Sequence, residues 1–177
     1  MIEKKNIFVI IGSASENSAN LKLVKVIEKL TGNEFNLTIY NDLKTLPHFD
    51  PEQSTENTPE IILEFRKKIE KADGIIICTP EYIFSIPSGL KNAIEWCIST
   101  TIFSEKPIGL ITASASGLKG HDELQLIMKT AMAKFTEKTT LLIQGVKGKF
   151  DDKNNLKDAE TIEKLISFIY AFKSIII

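Results

Sequence analysis

The sequence predicts an α/β fold in which a five-stranded parallel sheet is covered by helices on both faces. Short apolar segments of strand length alternate along the chain with segments whose apolar residues recur at helical spacing. Two of the strand-like segments, 7–11 and 75–78, are apolar throughout, which is typical of parallel strands covered on both faces. Because strand and helix alternate, the strands must be joined by right-handed crossovers, and the sequence indicates three layers.

In the first half of the chain, the apolar run 7–11 predicts a buried strand. Residues 18–30 predict a helix because their apolar positions are three residues apart, and Gly32 ends it. Residues 35–40 alternate between apolar and polar side chains, which is typical of a strand nearer the edge of the sheet. A second helix is expected around residues 61–69.

In the second half, the apolar runs 75–78 and 108–113 predict buried strands, and residues 139–144 predict the fifth strand. The remaining helices are expected over residues 88–99, 122–135 and 160–172. Two long connections interrupt this order. Residues 41–59 lack a clear period and contain three prolines, and loops of this length often serve function. The lysine-rich residues 145–157 are expected to form a solvated connection.

Composition indicates one soluble globular domain spanning residues 1–177, since 43% of the residues are hydrophobic. Lys and Arg total 22 against 23 Asp and Glu, which argues against a strongly basic nucleic-acid binder. Cys78 and Cys97 lie in apolar runs and are expected to be buried thiols. The first residues lack the features of a signal peptide, and no apolar run reaches membrane-spanning length, so a cytoplasmic location is expected.

Unusual chemistry follows three of the predicted strands, in the segments 12–20, 79–85 and 114–120. Ligands of open parallel sheets bind outside the carboxyl ends of the strands, so these segments predict a shared site. The first segment holds three hydroxyls and two amides directly before a helix. That pattern suits a phosphate monoester, or alternatively a cluster that caps only its own helix. It is neither a Walker loop nor a dinucleotide fingerprint.

The second segment adds aromatic surface, because Tyr82 and Phe84 follow Pro80 at the end of a strand. The exposed backbone of residues 80–83 offers hydrogen bonds to the edge of a flat heterocycle. Alternatively, the aromatic side chains serve the core or a contact between subunits, which is the interpretation favoured for Trp96. No cluster of His, Cys and Asp has the spacing of a metal site.

The run from Thr79 to Trp96, T-P-E-Y-x-x-S-x-P-x-x-L-K-N-A-I-E-W, resembles the signature of the NADPH-dependent FMN reductase family, which includes quinone, azo-dye and chromate reductases. The first segment is similar to that family's G-S-x-R-x-x-S-x-N loop, and residues 114–120 to its S-x-x-G-x-x-G segment. Residues 46–50 are similar to its L-P-x-x-D stretch. The resemblance covers roughly residues 6–145 and implies a flavodoxin-like fold with strand order 2-1-3-4-5.

The resemblance implies a role for eleven residues in binding FMN. The residues expected at the phosphate are Ser13, Ser15, Ser18 and Asn20. The residues expected along the isoalloxazine ring are Pro80, Glu81, Tyr82 and Ile83. The residues expected to reach the flavin from the third segment are Ser114, Ser116 and Gly117. Three positions depart from the family. Ser15 stands in the slot of an arginine, Ile83 replaces the usual asparagine, and Ser88 stands where glycine is common. These departures predict weaker FMN binding, a changed substrate choice or loss of the flavin.

The function implied is transfer of hydride from NADPH or NADH through bound FMN to a quinone, azo, flavin or similar acceptor, by a ping-pong mechanism. The cofactor performs this chemistry, so no catalytic side chain is expected. One alternative is a flavodoxin-like electron carrier, although its T-x-T-G-x-T loop and strong acidity are missing. The other is a flavin-free interaction scaffold, which the departures at Ser15 and Ile83 motivate.

The family also implies a homodimer or homotetramer. An apolar band could pack against a partner or equally into the subunit's own core; its members are Phe84, Trp96, Ile98, Ile102 and Phe103. The apolar tail 175–177 is expected to be packed. His121 is expected at the surface near the start of a helix, and His48 in the long loop that borders the site.

Overall fold

The computed structural model describes residues 3–176 and shows a five-stranded parallel sheet between two layers of helices. The strands are β1 (Lys5–Ile11), β2 (Phe35–Tyr40), β3 (Gly74–Thr79), β4 (Ile108–Ser114) and β5 (Thr140–Gln144). The α-helices are α1 (Ala19–Thr31), α2 (Glu60–Lys71), α3 (Ser88–Glu95), α4 (Leu118–Thr130) and α5 (Ala159–Ile175). The strand order is β2-β1-β3-β4-β5, so the predicted topology is confirmed.

Each face of the sheet has its own hydrophobic core, which explains why the central strands are apolar throughout. Phe8 and Ile10 of β1 pack on one side with residues of α2, α3 and α4. Their neighbours Ile7 and Val9 pack on the other side with residues of α1 and α5. Because successive side chains of a strand point to opposite faces, burial on both sides requires an unbroken apolar run.

Helix α4 begins four residues and ends five residues earlier than the sequence predicts, over Leu118–Thr130 instead of 122–135. Its end is a Schellman motif, in which the N–H of Ala133 donates to Met128 and that of Met132 to Lys129. Met132 occupies the left-handed position, with φ of 59°. Glycine usually marks this position, so a methionine there conceals the helix end in the sequence.

Helix α3 ends at Glu95, before the predicted end at residue 99. The chain continues in turns, since the N–H of Cys97 bonds the carbonyl of Ile94 three residues back. The carbonyl of Trp96 accepts hydrogen bonds from the guanidinium of Arg66 instead of from a backbone N–H of a following helical turn.

The predicted apolar band divides into two groups. Trp96 and Phe103 are buried in the subunit's own core, whereas Phe84 and Ile98 are exposed. The band therefore does not form one continuous surface. Ile102 is partly buried against the same core as Trp96.

The prediction of buried thiols is confirmed, since Cys78 and Cys97 are free and buried. Burial raises the pKa of Cys78 far above its usual range and that of Cys97 to about 12. In the tail, Ile175 and Ile176 pack against the core, as predicted, and residue 177 lies outside the described residues. So do the first two residues of the N-terminal segment. None of the described helices is long and apolar enough to cross a membrane.

Candidate functional site

The loops that follow β1, β3 and β4 meet at the carboxyl edge of the sheet, where they border a cleft of about 670 Å³. Seven of the eleven predicted residues line this cleft: Ser13, Ser15, Ser18, Asn20, Pro80, Tyr82 and Ser114. The remaining lining residues are Asn17, Ala19, Ala113, Ala115, Gly145, Val146, Lys147 and Gly148. The carboxyl-edge rule therefore locates the cleft.

The β1–α1 loop leaves the sheet close beside β3. The N–H of Gly12 donates to the carbonyl of Cys78 at 2.9 Å. A Cβ atom at Gly12 would lie 2.2 Å from the hydroxyl oxygen of Thr79, so only glycine fits this exit. The hydroxyl of Ser18 then caps α1 by accepting from Leu21 N–H at 3.1 Å. The N-cap alternative is thus realised at Ser18, while Ser13, Ser15 and Asn17 of the same loop also line the cleft.

The start of α1 presents unpaired backbone donors to the cleft. Within residues 3–176, the N–H groups of Ala19 and Asn20 have no protein acceptor. The side chain of Asn20 is 3% exposed and already engaged: its amide donates to Ala113 at 3.2 Å, and its oxygen accepts from the thiol of Cys78. The backbone N–H of Asn20, and not its side chain, is therefore available to a ligand.

The β3–α3 loop forms a two-residue hairpin turn. Tyr82 and Ser85 exchange backbone hydrogen bonds of 2.9 and 3.1 Å. The two residues between them are left-handed, with φ of 50° at Ile83 and 59° at Phe84, as a type I′ turn requires. Their side chains are 95% and 76% exposed. A β-branched residue in this conformation is strained, and the asparagine that is usual at position 83 would not be.

Two carboxylates fasten the base of this hairpin to α4. Glu81 accepts from the N–H of Gly117 at 3.1 Å and from that of Gly120 at 2.8 Å, so it caps the helix. In return, Glu123 of α4 accepts from the hydroxyl of Ser85 at 2.6 Å and from the N–H of Ile86 at 3.0 Å. The β3–α3 loop is therefore linked to α4 and its N-cap by four hydrogen bonds.

The carboxylate of Glu123 is stabilised in its charged form by these contacts. Burial by itself raises the pKa of Glu123, but the hydrogen bonds from Ser85 and Ile86 and the charge of Lys91 outweigh it. The net result is a pKa below the usual range. The ionised carboxylate is thus the form that holds the hairpin.

Asn92 and Trp96, at the end of the signature, position a neighbouring loop. The side chain of Asn92 donates to the carbonyl of Pro47 at 2.9 Å and accepts from the N–H of Phe49 at 2.7 Å. The indole of Trp96 donates to the same carbonyl at 2.8 Å. These bonds fix the stretch 46–50, on which His48 is exposed.

The remaining predicted residues lie outside the cleft lining. Ser116 is exposed beside the cleft, and the N–H of Gly117 is occupied by Glu81. The prediction that His121 lies at the surface is wrong, because its ring is buried and its Nδ1 lies 2.9 Å from the hydroxyl oxygen of Thr112. Burial lowers the pKa of His121. No group of three His, Cys, Asp or Glu side chains among residues 3–176 is arranged to hold a metal ion.

The sequence does not predict one wall of the cleft. Residues 145–148 line it, although the sequence predicts a solvated connection there. The position of this segment in the sequence could have indicated the wall, because the segment follows the carboxyl end of β5 at the same edge of the sheet as the other loops.

A parallel sheet of this order, with a cleft at the carboxyl edge, defines a flavodoxin-like fold. The family model described as NADPH-dependent FMN reductase matches residues 5–145, and the chain belongs to this family. The chain is 30% identical to a quinone reductase of Escherichia coli over 128 residues, which are 71% of this chain and 68% of that one. It is 29% identical to an NADH-dependent flavin reductase subunit of Lactobacillus johnsonii, with 90% of each chain covered.

Among solved structures, FerB, a flavoenzyme NAD(P)H:(acceptor) oxidoreductase of Paracoccus denitrificans, superposes with a TM-score of 0.81. The two chains are 26% identical, and 97% of each is covered. The chain is accordingly an oxidoreductase of a family that uses FMN and a nicotinamide nucleotide. This assignment favours an enzyme over the electron carrier and the flavin-free scaffold.

Proposed function

We propose that this protein passes reducing equivalents from NADPH or NADH to a small quinone, azo or flavin-type acceptor by a ping-pong mechanism in the cleft at the carboxyl edge. The observation that carries the proposal is that three separate loops, each expected to bind one part of FMN, border a single cleft. The homologous quinone and flavin reductases support the class of acceptor.

The groups at the start of α1 fit a phosphate ester. Ser13, Ser15 and Ser18 bring hydroxyls to the cleft, and Ala19 and Asn20 bring unpaired N–H groups at the positive end of the helix dipole. These five residues would hold the phosphate. The hydroxyl of Ser18 can still donate to an oxygen while it accepts from Leu21.

The hairpin fits the flat end of the cofactor. Pro80 and the ring of Tyr82 line the cleft, and the N–H groups of Glu81 and Ile83 have no acceptor among the described residues. We propose that the backbone from Pro80 to Ile83 lies along the isoalloxazine ring, with Ser114, Ser116 and Gly117 approaching from the other side. The two carboxylate contacts to α4 keep these groups in register.

Bound FMN supplies the hydride and electron transfer chemistry itself. Because this chemistry belongs to the cofactor, we propose no general acid or base from the cleft lining, whose titratable side chains among the described residues are Tyr82 and Lys147. The role of this chain is to bind, orient and partly enclose the reacting groups. If one cleft serves both substrates in turn, the first product must leave before the acceptor enters.

Steady-state kinetics test this proposal. With FMN added, oxidation of NADPH or NADH in the presence of a benzoquinone is expected to give parallel lines in double-reciprocal plots at several quinone concentrations. Converging lines would contradict the ping-pong mechanism. Comparing kcat/KM for the two nucleotides, and for quinone, azo and flavin acceptors, assigns the preferred pair.

We further propose a homodimer or homotetramer. The exposed apolar side chains of Ile83, Phe84 and Ile98 support this proposal, because exposed apolar groups of this size favour contact with another chain. Light scattering during size-exclusion chromatography is expected to give two or four times the chain mass. A monomer at micromolar concentration would contradict it.

We also propose that residues 1–177 act as one flavodoxin-like reductase domain in the cytoplasm. The shared sheet of all five strands supports the single domain. Calorimetry is expected to give a single cooperative unfolding transition, and two separated transitions would contradict it. Cell fractionation checks the location.

A further inference from the structure

We propose that Lys147 supplies the positive charge that holds the FMN phosphate, in place of the arginine that Ser15 replaces. This inference rests on the proposed function, because it assumes that FMN binds in the cleft. It assigns a binding role to the wall formed by residues 145–148, which the family motifs do not include.

The β5–α5 connection brings Lys147 to the cleft through fixed contacts. Gly145 has φ of 62°, and its N–H donates to the carbonyl of Ala115 at 3.1 Å, so the segment is attached to the β4–α4 loop. The next side chain, Val146, is 4% exposed and lies in the core. Lys147 follows at once, and it lines the cleft together with Asn17 and Ser18 of the first loop.

The far side of the connection is held equally well. Lys149 donates to Asp158, the N-cap of α5, at 2.8 Å. This hydrogen bond is the largest of the effects that lower the pKa of Asp158 to about 2. Lys147 therefore projects from a short segment that is fixed on both sides, at Val146 and at Lys149.

Charge makes Lys147 the natural partner of a phosphate. Lys147 is the one charged side chain among the described residues that line the cleft, and its ammonium forms no ion pair with the described residues. Glu16 of the first loop instead faces Lys44 at 3.2 Å and lines a neighbouring, smaller pocket. No carboxylate of the cleft lining therefore competes for the ammonium.

The helix alone offers too little charge for the ligand. A phosphate monoester carries about −1.5 to −2 charges near neutral pH, whereas a helix N-terminus supplies about half a positive charge. Ser15 adds a neutral hydroxyl where the family has a guanidinium. One ammonium at the cleft restores most of the missing charge, although as a point charge without the two-pronged geometry of arginine.

Equilibrium titration of the full chain with FMN and with riboflavin tests the proposal, because riboflavin lacks only the phosphate. In Lys147→Met, the dissociation constant for FMN is expected to rise about tenfold, as for the loss of a charge-assisted contact. Riboflavin binding is expected to stay within about twofold, and the salt dependence of FMN binding to become shallower. Lys147→Arg is expected to bind FMN within about threefold of the wild type.

The matched control is Lys153→Met, which removes an exposed lysine of the same connection that does not line the cleft. Its FMN affinity is expected to equal that of the wild type. Adding Ser15→Arg to Lys147→Met is expected to restore FMN affinity, since it returns a positive charge to the same end of the cleft.

Three results would overturn the inference: FMN affinity unchanged in Lys147→Met, equal losses for FMN and riboflavin, or an equal loss in Lys153→Met. Equal losses for the two flavins would mean that Lys147 acts on the fold of the loop and not on the phosphate. A wild-type chain that binds neither flavin would instead overturn the proposed function, and the role of Lys147 with it.

Discussion

The base and the tip of the β3–α3 hairpin differ sharply, although they lie within one or two residues of each other along the chain. At the base, Glu81, Ser85 and Ile86 are linked to α4 and its N-cap by four hydrogen bonds, each accepted by a carboxylate. At the tip, Ile83 and Phe84 are exposed and have left-handed backbones. The hydrogen bonds of the base hold the loop beside the cleft, whereas the exposed side chains of the tip are not needed to hold it there.

This difference changes the role of the most recognisable residue. Glu81 belongs to the part of the signature that carries the resemblance, which implies that it runs along the flavin ring. The structure shows its carboxylate turned away from the cleft lining and onto the amides of α4. A motif residue can thus be essential to a ligand site because it shapes the loop, and not because its side chain touches the ligand.

The largest change in the free energy of unfolding is expected for a substitution at the base of the hairpin. Glu81→Ala removes both bonds to the start of α4, and a lost helix cap plus charge-assisted bonds of this kind cost about 2 kcal/mol of unfolding free energy. FMN affinity is expected to fall as well, because the two loops lose their register. Urea unfolding followed by circular dichroism gives the first quantity, and a flavin titration gives the second.

The matched control is Glu64→Ala, an exposed glutamate of α2 without an ion pair to the described residues. It is expected to change stability by less than about 0.5 kcal/mol. Equal stabilities of Glu81→Ala and Glu64→Ala would show that the base of the hairpin needs no fastening.

A smaller change in the free energy of unfolding, of opposite sign, is expected for a substitution at the tip of the hairpin. Ile83→Asn places a residue that tolerates the left-handed region where isoleucine is strained, and this is expected to raise the free energy of unfolding by about 1 kcal/mol. Thermal unfolding checks it, with Ile98→Asn as control, because Ile98 is also exposed but has an ordinary backbone. A lower stability for Ile83→Asn alone would mean that a partner chain buries the tip.

The smallest change in stability is expected for a substitution inside α4, the helix to which the base is linked. Burial lowers the pKa of His121 below the 6.5 of an unfolded chain. The unfolded state therefore binds more protons just below pH 6.5, and the stability contributed by neutral His121 is lost as the pH falls through that range.

His121→Asn keeps a group that can bond Thr112 but does not titrate. The melting temperature of this variant is expected to fall less steeply than that of the wild type between about pH 7 and pH 5. Identical pH profiles would show that His121 is not linked to the stability of the fold.

The sequence predicts the strands well because burial on both faces leaves unbroken apolar runs, as at residues 75–78. It misplaces the start of α4 because the cap, Glu81, lies some 36 residues away along the chain from Gly117. Such a contact leaves no local pattern. The end of α4 is concealed for another reason, since Met132 takes a position at which glycine is expected.

The site residues also divide into those that a local sequence pattern indicates and those that it does not. The hydroxyl-rich first loop is recognisable because it directly precedes a helix, and the cleft forms there. Lys147 escapes sequence reasoning because its relation to Ser15 exists only across the sheet edge, between loops at opposite ends of the chain. Asn20 looks like a ligand group in the sequence, but the fold uses its side chain to tie α1 to β3 and β4.

Equilibrium dialysis of the full chain against FMN tests most directly whether the cleft at the carboxyl edge is the flavin site. It should be run beside Ser15→Asp, which places a negative charge at an exposed position of the cleft lining where we propose that the phosphate binds. Saturation at one FMN per chain, with clearly weaker binding by Ser15→Asp, is the predicted result. No saturable binding, or equal binding by the two proteins, would contradict the account.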